Sequence, residues 1–90
     1  MLEVKYSTKF KKDLKTCQKR HCNMTLLQQV VNVLAAPAVL PPKNKDHCLT
    51  GSYVPHRECR IQPDWLLIYR QTETELYLVS TGTHADLFGL

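Results

Sequence analysis

Apolar and polar residues alternate through Leu2-Glu3-Val4-Lys5-Tyr6, the two-residue period of a strand with one buried face. The period then lengthens. Phe10, Leu14 and Cys17 recur at helical spacing, and Lys11, Lys15 and Lys19 follow at four-residue steps on another side, which predicts an amphipathic helix over about residues 8–20. Ser7 stands where a side-chain oxygen can accept an N–H of the first turn. Arg20-His21-Cys22-Asn23 breaks the pattern, and Asn23 can cap a second helix over about 24–36 with Leu27, Val30, Val31 and Leu34 as its buried stripe. A link this short predicts antiparallel helices.

Pro37, Pro41 and Pro42 end helical structure, so residues 37–47 read as a loop. Cys48-Leu49-Thr50 is a short extended piece ending at Gly51-Ser52, and three β-prone runs follow at 54–62, 65–71 and 75–81. Gln62–Trp65 and Gln71–Thr74 are the turns between them. Strands joined by short turns pair antiparallel. The helices must cover one face of this sheet, since nothing else can bury it, which leaves the other face for a substrate. The predicted order is β-α-α-β-β-β. This is an α+β fold, two N-terminal helices on one face of a small, mainly antiparallel sheet, in a single domain over residues 1–90.

Charge adds a direction to this picture. The net charge is +4, and residues 1–20 carry seven of the cations, Lys5, Lys9, Lys11, Lys12, Lys15, Lys19 and Arg20, while residues 71–90 carry none. A basic helical face fits a polyanion or an acidic protein partner, or is simply a solvated surface. No apolar run approaches the roughly 20 residues of a membrane span, and Met1–Tyr6 has no signal-peptide core. The expectation is a cytoplasmic protein that engages no membrane. In that compartment Cys17, Cys22, Cys48 and Cys59 are expected as free thiols, small buried side chains rather than zinc ligands, because their spacing makes no zinc pattern.

Candidate chemistry gathers at strand ends. Pro63-Asp64 sets an Asp and Trp65 at a hairpin tip, His84 follows a Gly turn past the last strand, and Asp46-His47 precedes another turn. Acid, base and aromatic groups so placed in a basic domain suggest a site that handles RNA without a metal.

Three segments in this order, Lys45-Asp46-His47-Cys48-Leu49-Thr50-Gly51-Ser52, Arg57 through Tyr69 centred on Pro63-Asp64-Trp65, and Thr81-Gly82-Thr83-His84-Ala85-Asp86-Leu87-Phe88-Gly89, resemble the RelE/ParE toxin superfamily, most closely its YafQ branch. Gln18-Lys19-Arg20-His21 is similar to that branch as well. The resemblance implies a type II toxin that cuts translated mRNA in the ribosomal A site without cofactor or metal. The RNA's 2′-hydroxyl attacks the adjacent phosphorus and leaves a 2′,3′-cyclic phosphate and a 5′-hydroxyl. It further implies an acidic cognate antitoxin, commonly with a dimeric DNA-binding domain.

Carried onto this chain, the implied site residues are His47, Asp64 and His84 for proton transfer, with Trp65 and Phe88 as an aromatic pair beside the RNA. Arg60 stands where the branch usually has a further histidine. An arginine cannot shuttle protons, so its expected role is electrostatic, on the scissile phosphate. Histidine suits acid and base roles because both protonation states are populated near neutrality. Arg57 is expected on the sheet, against phosphate or in an ion pair with Glu58 or Asp86. Trp65, in phase with Leu67 and Tyr69, also reads as core. Lys11, Lys12, Lys15 and Lys19 are the expected contacts to ribosomal RNA. Two alternatives remain: a non-enzymatic toxin of the ParE type that blocks DNA gyrase, and a basic ribosome- or RNA-binding module with a decayed site.

Overall fold

The structure, a computed structural model, describes residues 1–51 and 55–89. Its elements are β1 (Glu3–Tyr6), α1 (Thr8–Lys19), α2 (Met24–Ala35), a 3-10 turn at Pro42–Asn44, β2 (His47–Cys48), β3 (Arg57–Gln62), β4 (Trp65–Gln71), β5 (Glu75–Gly82) and α3 (His84–Phe88). Both predicted caps are made: the Ser7 side chain accepts from the N–H of Phe10, and that of Asn23 from Thr25. His21, at φ 60, turns the chain between the two helices.

The sheet order is β1-β5-β4-β3-β2. The three neighbouring pairs from β2 to β5 are antiparallel, as expected from their short turns. β1 is the exception: it runs parallel to β5, with Val4 opposite Leu76 and Tyr6 opposite Leu78. The N-terminal strand therefore lies at the sheet edge beside the last strand. β3 begins at Arg57, later than the run at 54–62 suggests, since Pro55 has no N–H to give a ladder; Ser52 and Val54 lie outside the described residues.

Phe10 and Cys17 of α1, and Leu27, Val30, Val31 and Leu34 of α2, pack on Cys59, Trp65, Leu67, Tyr69, Leu76 and Leu78 of the sheet. The predicted helical stripes are the buried ones. α1 is further tied to β5 by the carboxylate of Asp13, which accepts from Lys9, from the Ser80 hydroxyl and from the Thr81 amide.

The second sheet face departs from the expectation of an open surface. Leu66 and Ile68 alternate with the core residues of β4, so they point away from the helices, yet Leu66 is 0 % and Ile68 6 % exposed. A central strand covered on both faces reads as an unbroken apolar run, and Trp65-Leu66-Leu67-Ile68-Tyr69 is one. What remains accessible lies toward the sheet's ends, at the β3–β4 turn, β2 and α3.

Candidate active site

Asp64 and His84 meet. Pro63 fixes φ at the β3–β4 turn and puts Asp64 on its tip, where the carboxylate is 66 % exposed. One oxygen, Oδ1, accepts both the backbone N–H of His84, at 3.0 Å, and its ring Nδ1–H, at 2.6 Å. The first of these bonds, seconded by the ring, holds the Asp64 carboxyl below its ordinary range. A carboxylate only accepts, so Nδ1 carries the proton and Nε2 presents its lone pair outward. The arrangement gives a base with a fixed tautomer.

His84 depends on the short helix it starts. Thr83 and Asp86 form a reciprocal capping box, each side chain accepting from the other's backbone N–H. Asp86 also receives two arginine N–H groups from Arg20 at the end of α1, at 2.6 and 3.2 Å. The arginine bonds and the Thr83 amide hold the Asp86 carboxyl down at about 2. Gly82 makes the close approach possible: at φ +155 a Cβ there would lie 2.9 Å from the Asp86 Cβ. No residue of α3 is buried, so polar ties fix it in place. Phe88 sits four positions after His84, on the same helical face, and is half-buried.

His47 is placed differently. It pairs with Glu58 across β2 and β3. Its Nδ1–H donates to the Lys45 carbonyl at 2.7 Å, and its Nε2 faces the Glu58 carboxylate at 3.8 Å. Arg60, two residues beyond Glu58 on the same face of β3, stands opposite Leu66, itself opposite Gly82. The register thus sets Arg60 between the His47 pair and the Asp64–His84 tip. Asn44, buried in the loop, donates to the Arg60 carbonyl at 2.6 Å and steadies β3 beyond the end of β2. Among the described residues the Arg60 guanidinium makes no ion pair.

Two expected substrate contacts lie elsewhere. Trp65 is 5 % exposed, belongs to the core cluster, and donates its Nε1–H to Thr81 at 3.0 Å. It packs in the core, as its phase with Leu67 and Tyr69 allowed, and also lines a cavity with Asp64, Gly82 and Thr83. Arg57 points to the helix side of the sheet, where it meets Asp46 and Tyr69, each at 3.3 Å, and the Cys48 sulfur at 2.7 Å. Its partner is Asp46, neither Glu58 nor Asp86, because the loop before β2 folds over that end of β3. Among the cysteines, Cys17 and Cys59 are buried as expected; Cys48 is exposed. Lys11, Lys12, Lys15 and Lys19 are all exposed.

Glu58, Arg20, Asp86 and Gly82 have no site role in the sequence reading, where Glu58 and Asp86 enter only as candidate partners of Arg57. Only the Thr83–Asp86 spacing carried a usable signal, since Thr-x-x-Asp before a helix is a capping-box pattern.

A small α+β domain thus carries two histidines, each oriented by an acceptor on Nδ1, a geometry suited to acid–base chemistry. Residues 2–89 match the family described as the bacterial toxin of type II toxin-antitoxin system, YafQ, and the chain belongs to that family. It is 42% identical over 88 residues to the mRNA interferase toxin YafQ of Escherichia coli K12, covering 97% of this chain and 96% of the relative. The E. coli DinJ–YafQ toxin–antitoxin complex contains a chain superposing at TM-score 0.91, with 42% identity and 98% of each chain covered. A metal-bound toxin from Helicobacter pylori superposes at TM-score 0.92, with 44% identity over 98% of this chain and 100% of that one. Among the described residues here, no three His, Cys, Asp or Glu side chains group closely enough to hold a metal ion.

Proposed function

We propose that this chain is the toxin of a type II pair and acts as a ribosome-dependent endoribonuclease on translated mRNA. Support comes from the similarity to mRNA interferase toxins, and the observation that carries the chemistry is the Asp64–His84 pair. With Nδ1–H engaged by Asp64, Nε2 of His84 takes the proton of the 2′-hydroxyl as its oxygen attacks the adjacent phosphorus. The bond to the 5′-oxygen breaks, and that oxygen receives a proton from His47 at Nε2. The products are a 2′,3′-cyclic phosphate and a 5′-hydroxyl. Arg60 offsets charge on the phosphorane. Phe88, on the His84 face of α3, offers a ring to a splayed base. A positioned acid or base contributes about 10²–10⁴-fold.

The exposed lysines of α1 bind ribosomal RNA phosphates and take no part in the chemistry. An antitoxin is the expected partner, as in the E. coli DinJ–YafQ toxin–antitoxin complex, and the basic α1 face suits an acidic one, here proposed to carry a dimeric DNA-binding domain. The test is cleavage of mRNA on programmed ribosomes with a 2′-deoxy sugar at the scissile position. Cutting should stop there and should persist with EDTA at magnesium levels that keep ribosomes intact. Cleavage of the deoxy message, or loss of cleavage with EDTA, would overturn the mechanism.

A further inference from the structure

Resting on the reading of His47 as a proton carrier, we propose that Glu58 is the positioning residue that aims His47 at the substrate. Glu58 is 6 % exposed, and its side chain 8 %. A carboxylate so buried needs a cation or hydrogen bonds close by. Among the described residues its one ion pair is with Nε2 of His47, at 3.8 Å. The nearest arginine in sequence, Arg57, is turned to the opposite face and held by Asp46.

The imidazole is thus fixed from two sides. The Lys45 carbonyl accepts the Nδ1–H hydrogen bond and so keeps that proton on Nδ1, which leaves Nε2 as the nitrogen that gains and loses one. Lys45 reaches this position at φ 46 and ψ 46, a left-handed conformation that costs a lysine about 1 kcal/mol or more and persists only where the surroundings enforce it. The Glu58 carboxylate faces Nε2 from 3.8 Å, beyond hydrogen-bond range. It attracts the protonated ring without claiming its proton, which stays available on a side chain 53 % exposed. His84 has the opposite arrangement, a carboxylate bonded directly to Nδ1, with no partner on Nε2 among the described residues. One histidine is set up to take a proton and the other to give one.

The test is Glu58→Gln, which keeps the shape and removes the charge. In single-turnover cleavage on programmed ribosomes, the rate should fall about 10–100-fold, part of what a positioned acid supplies. The toxin concentration for half-maximal rate should not move. In a His47→Gln background Glu58→Gln should cost nothing further. In a non-toxic His84→Ala background, the ring ¹⁵N signals of His47 should move on Glu58→Gln while those of His21 stay. Full additivity of the two losses, unmoved His47 signals, or wild-type cleavage by Glu58→Gln would overturn the proposal. If Glu58→Gln does not fold, Glu58→Asp serves: it keeps the charge but draws it back from the ring, and its loss should likewise vanish in His47→Gln. Undiminished cleavage by both His47→Gln and His84→Ala would instead sink the nuclease mechanism itself.

Discussion

α3 can be loosened without unfolding the domain. Asp86→Ala removes two ties at once, the bidentate Arg20 pair and the half of the capping box that serves the Thr83 amide. The fall of the Asp86 carboxyl from 3.8 to about 2 would correspond to roughly 2 kcal/mol for a group shielded from water. Asp86 is a third exposed and Arg20 half exposed, so solvent screening cuts this to about 1 kcal/mol. That shift already contains the capping bond from the Thr83 amide, so the expected loss stays at about 1–2 kcal/mol. Because no residue of α3 is buried, that loss should act on local opening. A change of 1–2 kcal/mol multiplies the open-to-closed ratio about 5–30-fold. Native-state hydrogen exchange reads this directly: the amides of Leu87 and Gly89, bonded to Thr83 and Ala85, should lose protection by that factor. Those of Leu67 and Leu78 in the core strands should not change, and cleavage should fall by no more than the same factor. Equal loss of protection in β4 and β5 would show that α3 is part of the cooperative core. Unchanged protection of Leu87 and Gly89 would show that the Arg20–Asp86 contact contributes nothing.

Asp64→Asn should lower single-turnover cleavage about 10²–10⁴-fold with the melting temperature unmoved, because an amide no longer dictates the His84 tautomer and the side chain is exposed; a small rate effect would refute the tautomer argument. Trp65→Phe should cost about 1 kcal/mol through the lost bond to Thr81, or roughly 4–8 °C in Tm, with cleavage per folded molecule retained; lost cleavage at unchanged Tm would return the ring to the substrate. Changing Lys11, Lys12, Lys15 and Lys19 to Gln should weaken ribosome binding and flatten its salt dependence without affecting the fold, and equal binding across a salt series would leave α1 a solvated surface. Acid should release α3 early. Asp86 is depressed in the fold, so its contribution is complete above pH 3.8 and is lost as pH falls toward about 2. The NMR shifts of residues 86–89 should change over that window in the wild type and not in Asp86→Ala; His84 is no reporter, because Asp64, which it binds, is held low as well.

Periodicity carried most of the fold. The predicted strand at 65–71 coincides with β4, and the stripes Phe10–Cys17 and Leu27–Leu34 are the buried ones. What periodicity lacks is partner and direction. Nothing in Leu2–Tyr6 says that its neighbour is β5 or that the pairing is parallel, and five residues at 84–88 are too few to show a helical period. The same limit governed the site. Strand alternation gives Arg57 a face, but its partner Asp46 arrives on an irregular loop with no period to follow. Trp65 had two readings in sequence, and the deciding fact, Thr81 waiting for its N–H, lies 16 residues away. Glu58 was visible only as a strand residue and a candidate partner of Arg57; its burial against His47 depends on β2, a two-residue strand.

The parallel pairing of β1 with β5 also bears on how the chain is made. Seventy-two positions separate Glu3 from its partner Glu75, so as the chain leaves a ribosome its first strand has nothing to join until almost everything else has emerged. α1 is in the same position, since Phe10 packs toward Leu78 and Asp13 waits for Ser80 and Thr81. Such long-range closure is slow and comes late. A growing chain therefore lacks both the His84 segment and the strand that completes the sheet, and the two are gained within the same few residues of synthesis.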